Sequence, residues 1–130
     1  MSTEENKAVV RRFIAEVLEA GDLDAIDDVL APNYTNTAMG VTDLAGFKAA
    51  WPAMGALIPS MRLDIVDLVA EGDVVVARVT TEITLVNGKK IDGSGLTYYR
   101  LADGKIVEAD PFEKPDLMPE LAALMPTQAS

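Results

Sequence analysis

The sequence predicts an α+β fold, an antiparallel sheet with helices on one face. Three observations carry that expectation. Before Pro59 the apolar residues recur at helical spacing. After Pro59 they alternate as in strands. The later segments are joined by Glu71-Gly72-Asp73, Asn87-Gly88 and Asp103-Gly104, the residue types that close hairpins. Helices first and hairpin-linked strands afterwards fit α+β better than an alternating parallel design.

Taken in order, Ser2 and Glu5 have capping-box spacing. Val10, Phe13, Ile14, Val17 and Leu18 then form one apolar stripe, and Gly21 ends the helix. Asp22 caps a short second helix with Leu23, Ile26, Val29 and Leu30 inward, and Pro32 stops it. "NYTNTAMG" is a short extended stretch running into a loop. A third helix starts near Thr42 or Asp43 and buries Leu44 and Phe47. Pro52 should kink or end it, with a continuation through Met54 and Leu57 to Pro59.

Four strands follow. "MRLDIVDLVAEGD" alternates through Leu63, Ile65, Asp67 and Val69, and "VVVARVTTEITLV" is a long β-branched strand. "IDGSGLTYYRL" and "KIVEADPF" flank the Asp103-Gly104 turn, and a last helix is expected from Asp116 to Leu124.

The 130 residues suit one domain spanning 1–130 and are enough to bury a core. A net charge of −10 opposes binding to nucleic acid and to anionic membrane surfaces. The absence of cysteine removes disulfides, thiolate metal sites and a Cys nucleophile. The absence of histidine removes the usual general base near neutral pH and any Ser-His-Asp triad, and it leaves only carboxylates for zinc. No bound metal or other cofactor is expected. The N-terminus lacks the basic and apolar regions of a signal peptide, so cytoplasmic residence is expected.

Three segments, "VVRRFIAEVLEAGDLDAIDDVLAPNY", "IPSMRLDIVDLVAEGDVVVARVT" and "YYRLADGKIVE", resemble in order and spacing the SnoaL-like, or nuclear-transport-factor-2-like, superfamily. Its members include polyketide cyclases, limonene-epoxide-hydrolase-like enzymes and ketosteroid-isomerase-like proteins. The resemblance implies a conical fold, with a curved, mostly antiparallel sheet packed against three N-terminal helices around a central pocket. It also implies a homodimer.

Tyr34 and Asn36 match the spacing of the water-holding Tyr and Asn of the epoxide hydrolases, and Arg78 falls at their Arg position. Thr80 stands where their first aspartate should be. Pro111 stands where the second should be, with Asp110 one place away, so that triad is incomplete. Polyketide cyclases of this group place an acid or base on the last strand, where Asp110 or Glu113 could serve. The oxyanion-binding Asp of the isomerases falls near Leu96.

The candidate catalytic residues are therefore Asp110, Glu113, Arg78, Tyr34 and Asn36. A carboxylate in an apolar pocket is a natural proton carrier, and a phenol or amide can stabilise an oxyanion. Arg78, Thr80, Glu82 and Thr84 share one strand face. Against their being merely solvated, the family geometry would turn Arg78 and Thr80 into the cone, where Arg78 should pair with Asp110 or Glu82. Phe13, Val17, Trp51, Met54, Met61, Thr80, Glu82, Gly95 and Phe112 are the expected ligand-binding residues. Most of the large apolar ones should also serve the core.

The function expected is cofactor-free acid–base catalysis of the cyclase or isomerase type on a small apolar or polycyclic carbonyl compound. The alternatives are epoxide hydrolysis and non-catalytic ligand binding or association.

Overall fold

The computed structural model describes residues 2–124. The chain opens with α1 (Thr3–Arg12), which continues as a π-helical stretch, Phe13–Glu19. The Ser2 hydroxyl accepts from the Glu5 amide, and the Glu5 carboxylate accepts from the Ser2 amide, completing the capping box. Gly21, with φ at 70°, turns the chain out of the helix. A turn of 3₁₀ helix, Leu23–Ala25, leads into α2 (Ile26–Val29), then β1 (Leu30–Asn36) and α3 (Leu44–Leu57). The Asp43 carboxylate caps α3 by accepting from the Gly46 amide at 2.7 Å. Pro52 lies within α3 and does not end it.

Four long strands follow: β2 (Ser60–Glu71), β3 (Val74–Thr84), β4 (Lys90–Ala102) and β5 (Lys105–Lys114). Helix α4 (Met118–Leu124) closes the described chain. The sheet order is β1-β5-β4-β3-β2. The hairpin strands pair antiparallel, as their turns require. The sheet has five strands rather than the four read from the sequence. The segment around Pro32 forms β1 and joins the far edge parallel to β5. Pro32 is tolerated there because an edge strand has one side free of ladder bonds. Leu30, expected on the second helix, is instead the first residue of β1, and it is fully buried.

The inward face of the sheet packs on α1, its π-helical extension and α3. Val10, Phe13, Ile14, Val17, Phe47 and Trp51 from the helices meet Val75, Ala77, Tyr99, Leu101, Ile106 and Ala109 from the strands. A bulge at Val66 resets β2: Ile65 pairs with Val79, but Asp67 pairs with Arg78. An extra residue reverses side-chain parity. Leu68 and Ala70 therefore join the core, while Asp67 and Val69, read from the sequence as continuing the Leu63 and Ile65 row, stand on the outer face. A smaller apolar cluster, with Ile83, Leu85, Ile91 and Leu121, sits where α4 folds against the sheet. Among the described residues no helix is long and apolar enough to cross a membrane.

Candidate functional site

Between the helices and the inward face of the sheet lies an apolar cavity of about 140 Å³. Phe13 and Ile14, together with Phe47, Trp51 and Met54 from α3, form its helical wall. Met61 and Leu63 of β2, and Val79, Thr81 and Ile83 of β3, line the sheet side. Phe47 and Trp51 stack with ring centroids 5.6 Å apart and planes 13° from parallel, and Phe13 meets Tyr99 edge-on at 6.0 Å. These ring contacts give the wall a fixed shape.

Apart from Thr81 on β3, the polar groups of the cavity gather on β4, on β5 and at the end of β1. Gly95, Thr97 and Tyr99 on β4 pair with Glu113, Pro111 and Ala109 on β5, and all six line the cavity. Asn36 joins them. Its Nδ2 donates to the Tyr34 hydroxyl at 3.1 Å, and its Oδ1 accepts from the Met39 amide at 3.2 Å. Because a backbone amide only donates, the second bond fixes which end of the Asn36 side chain is oxygen.

Tyr34 has no exposed surface and packs edge-on against Phe47 at 5.3 Å. Burial pushes its pKa up to about 12, partly offset by the hydrogen bond from Asn36, so it remains a neutral phenol across ordinary pH. Burial also raises the pKa of Tyr99; the neighbouring Tyr34 adds to this, and a hydrogen bond with Thr97 opposes it. Glu113 is raised as well, first by desolvation and then by the negative charge of Asp116. Taken whole, Glu113 is an exposed residue at the edge of the cavity. Its dehydration is therefore partial.

Glu113, Gly95, Ser94, Pro111 and Lys114 are shared with a second, open depression of about 770 Å³ that also takes in Arg78, Leu96 and Phe112.

Of the five candidate catalytic residues, Asn36 and Glu113 reach the cavity, and Tyr34 stands behind Asn36. Asp110 and Arg78 do not. Asp110 pairs with Tyr98 on the opposite parity to Ala109 and Pro111, and it accepts from the Thr37 hydroxyl at 2.5 Å. The Arg78 side chain is 62% exposed, and its nearest carboxylate is Asp67 at 4.0 Å. This corrects the expectation that Arg78 is buried and meets Asp110 or Glu82. The alternation along β3 was read correctly, but the other face turns inward. Val75, Ala77, Val79 and Ile83 gain from contact with the helices, whereas an arginine buried there would lose hydration without a partner.

The same parity removes Thr80 and Glu82 from the cavity. Phe112, 65% exposed, lies on the outer face beside Leu96. Phe13, Trp51, Met54, Met61 and Gly95 line the cavity as expected; Val17 is fully buried in the core and does not.

Thr81, Thr97 and Tyr99 were not anticipated. Counting from the Asp103-Gly104 turn would pair Glu113 with Ser94; a register shift between Arg100 and Leu101 makes the partner Gly95, and only that register sets Thr97 and Tyr99 on the Glu113 face. The limonene-epoxide-hydrolase pattern therefore has neither its arginine nor a first aspartate in this cavity. Among the described residues no cluster of acidic side chains is arranged to hold a metal ion.

Solved structures share this architecture over nearly the whole chain. A candidate SnoaL-like polyketide cyclase from Jannaschia sp. CCS1 is 19% identical, with a TM-score of 0.80 and 95% of each chain covered. TsrD from Streptomyces laurentii is 23% identical, with a TM-score of 0.79, 95% of this chain and 99% of that one covered. A candidate polyketide cyclase from Acidithiobacillus ferrooxidans is 26% identical, with a TM-score of 0.77, 96% of this chain and all of that one covered. No curated protein matches the sequence significantly. The SnoaL-like domain model matches residues 10–109, and with that match and this fold the chain belongs to the SnoaL-like family.

Proposed function

We propose that the protein is a cofactor-free acid–base catalyst of the cyclase or isomerase type, acting on a small, neutral, apolar carbonyl compound. The observation that carries this reading is the place of Glu113. It is a carboxylate with a raised pKa at the rim of an apolar cavity, on the same wall as Thr97, Tyr99 and Asn36. Perturbed titratable groups at such places are typical of proton-transfer sites.

In this reading Glu113 removes a proton alpha to the carbonyl. The C–H bond breaks, and its electron pair moves toward the oxygen as an enolate. The Asn36 amide hydrogen that does not go to Tyr34, together with the hydroxyl of Thr97 or Tyr99, stabilises that oxygen. Glu113 then returns the proton to carbon. Tyr34 positions Asn36 rather than touching the ligand. Asp110, which polyketide-cyclase resemblance made an equal candidate, is set aside because of its outward parity.

A cytoplasmic homodimer is part of the same proposal. Val69, Leu96 and Phe112 are exposed on the outer sheet face and offer an apolar surface to a second copy. Phe112→Ser should shift the sedimentation of such a dimer toward monomer.

The test is deuterium exchange at the alpha carbon of a cyclic ketone in D₂O, followed by NMR. Glu113→Gln keeps the shape and should slow protein-catalysed exchange by about 10²-fold or more, while Asp110→Asn should leave it near wild type. Ketone binding with no catalysed exchange in the wild-type protein would make this a non-catalytic ligand-binding module.

A further inference from the structure

We infer that the site selects a carbonyl compound with a single ring, and that α4 sets this limit. The inference concerns the cavity of the proposed function but not its chemistry. A cavity of about 140 Å³ is far below the roughly 300–1,000 Å³ of sites for drug-sized ligands. It matches the apolar cavities of about 150 Å³ that accept benzene. One six-membered ring with small substituents fills it, and a fused second ring must either press on the α4 end or extend past Glu113 into the open depression.

The ring stack of Phe47 on Trp51 and the edge contact of Phe13 with Tyr99 resist expansion on the helical side. At the α4 side the cavity is stopped by Ile58, Leu117 and Leu121. Leu121 is buried against Ile83, Leu85 and Ile91, and Glu120 beside it pairs with Lys89 at 2.7 Å. Two contacts of different kinds thus hold α4 over that end. The walls also set the ligand's charge. Besides the Asn36 amide and the hydroxyls, the lining holds one acid, Glu113, and one base, Lys114, so its charges offset and its donors suit a neutral acceptor such as a ketone.

The test measures binding of cyclohexenone, 1-tetralone and a steroid ketone by ligand-observed NMR and thermal shift, in wild type, Leu121→Ala and Ile58→Ala. Wild type should bind cyclohexenone, bind tetralone more weakly and not bind the steroid. Either substitution should tighten tetralone binding by about tenfold or more relative to cyclohexenone. Ile58 lies outside α4, so its variant keeps the test intact where Leu121→Ala unfolds that helix.

A steroid ketone that binds wild type as well as cyclohexenone does, or one whose binding ignores both substitutions and so belongs to the open depression, overturns the size limit. Failure of every ring ketone to bind overturns it too. Size order and catalysis separate cleanly. The expected order with exchange indifferent to Glu113→Gln supports the size limit and removes the acid–base proposal. Glu113-dependent exchange on the steroid does the reverse.

Discussion

Gly95 and Glu113 face each other as register partners across β4 and β5, and a Cβ on Gly95 would stand 3.5 Å from Glu113 Cγ and 3.3 Å from the Phe112 carbonyl oxygen. A methyl group there would touch the Glu113 stem at ordinary contact distance and crowd the Phe112 carbonyl oxygen by a few tenths of an ångström, on the strand that carries Glu113. Gly93, two residues earlier, is more tightly constrained, since a Cβ there would come within 2.6 Å of the Lys114 carbonyl oxygen. That oxygen belongs to the backbone and cannot rotate away.

The two glycines should therefore respond differently. Gly93→Ala should cost about 1–3 kcal/mol in chemical denaturation, the range for a forced backbone shift. Gly95→Ala should cost less and act on Glu113 instead, lowering catalysed exchange with the fold retained. Equal stability losses would mean that β5 does not close on β4 as described.

The two faces of the sheet give a second contrast. Phe13→Ala removes a ring that touches Tyr34, Phe47 and Tyr99 and should destabilise by about 3–5 kcal/mol. Arg78→Ala, on the outer face, should stay within about 0.5 kcal/mol of wild type. A large loss at Arg78 would return it to the interior.

Both outcomes bear on what the sequence made legible. Helix stripes, caps and hairpin turns were readable because each rests on local chemistry: Ser2 with Glu5, Asp43 at its cap, Gly88 and Gly104 in their turns. The family was readable from the order of those elements. Which face of β3 turns inward was not, because the alternation of Arg78 with Val79 is the same either way and only packing against α1 and α3 decides it. The β2 bulge escaped because one extra residue leaves no mark in composition, so Asp67 and Val69 were assigned the wrong side. Edge strand β1 was hidden by Pro32, which ends a helix and also suits a sheet edge. Glu113 and Asn36 could be named from the sequence, but their company of Thr97 and Tyr99 required the register.

Stability should depend on pH through Glu113. Its folded pKa is raised, so the folded state favours the protonated form. The associated stability is fully present below the unfolded value of about 4.3 and is lost as pH rises through the folded pKa. Glu113→Gln cannot lose a proton. It should melt higher than wild type at pH 7, and the gap should close as pH falls to about 4. A gap that widens toward acid would mean that the carboxylate is stabilised rather than dehydrated.

At the alkaline end Tyr34 carries the same sign. Its folded pKa of about 12 exceeds the ordinary value of 10.0, so the stability it contributes is present below that value and declines as pH rises through 12. Tyr34→Phe removes this dependence and leaves the Asn36 amide without its acceptor. Its melting temperature should fall less steeply than that of wild type above pH 10, which a thermal series read by circular dichroism would show.

If the Glu113 carboxyl shares the cavity with the ligand, its ¹³C NMR signal reads the ligand's arrival. Its titration should be followed in the free protein and with cyclohexenone bound. The midpoint should lie above the ordinary glutamate value of about 4.3 and move further up when the ring displaces water from around the carboxyl. A midpoint at or below the ordinary value, unchanged by the ketone, would contradict that shared placement.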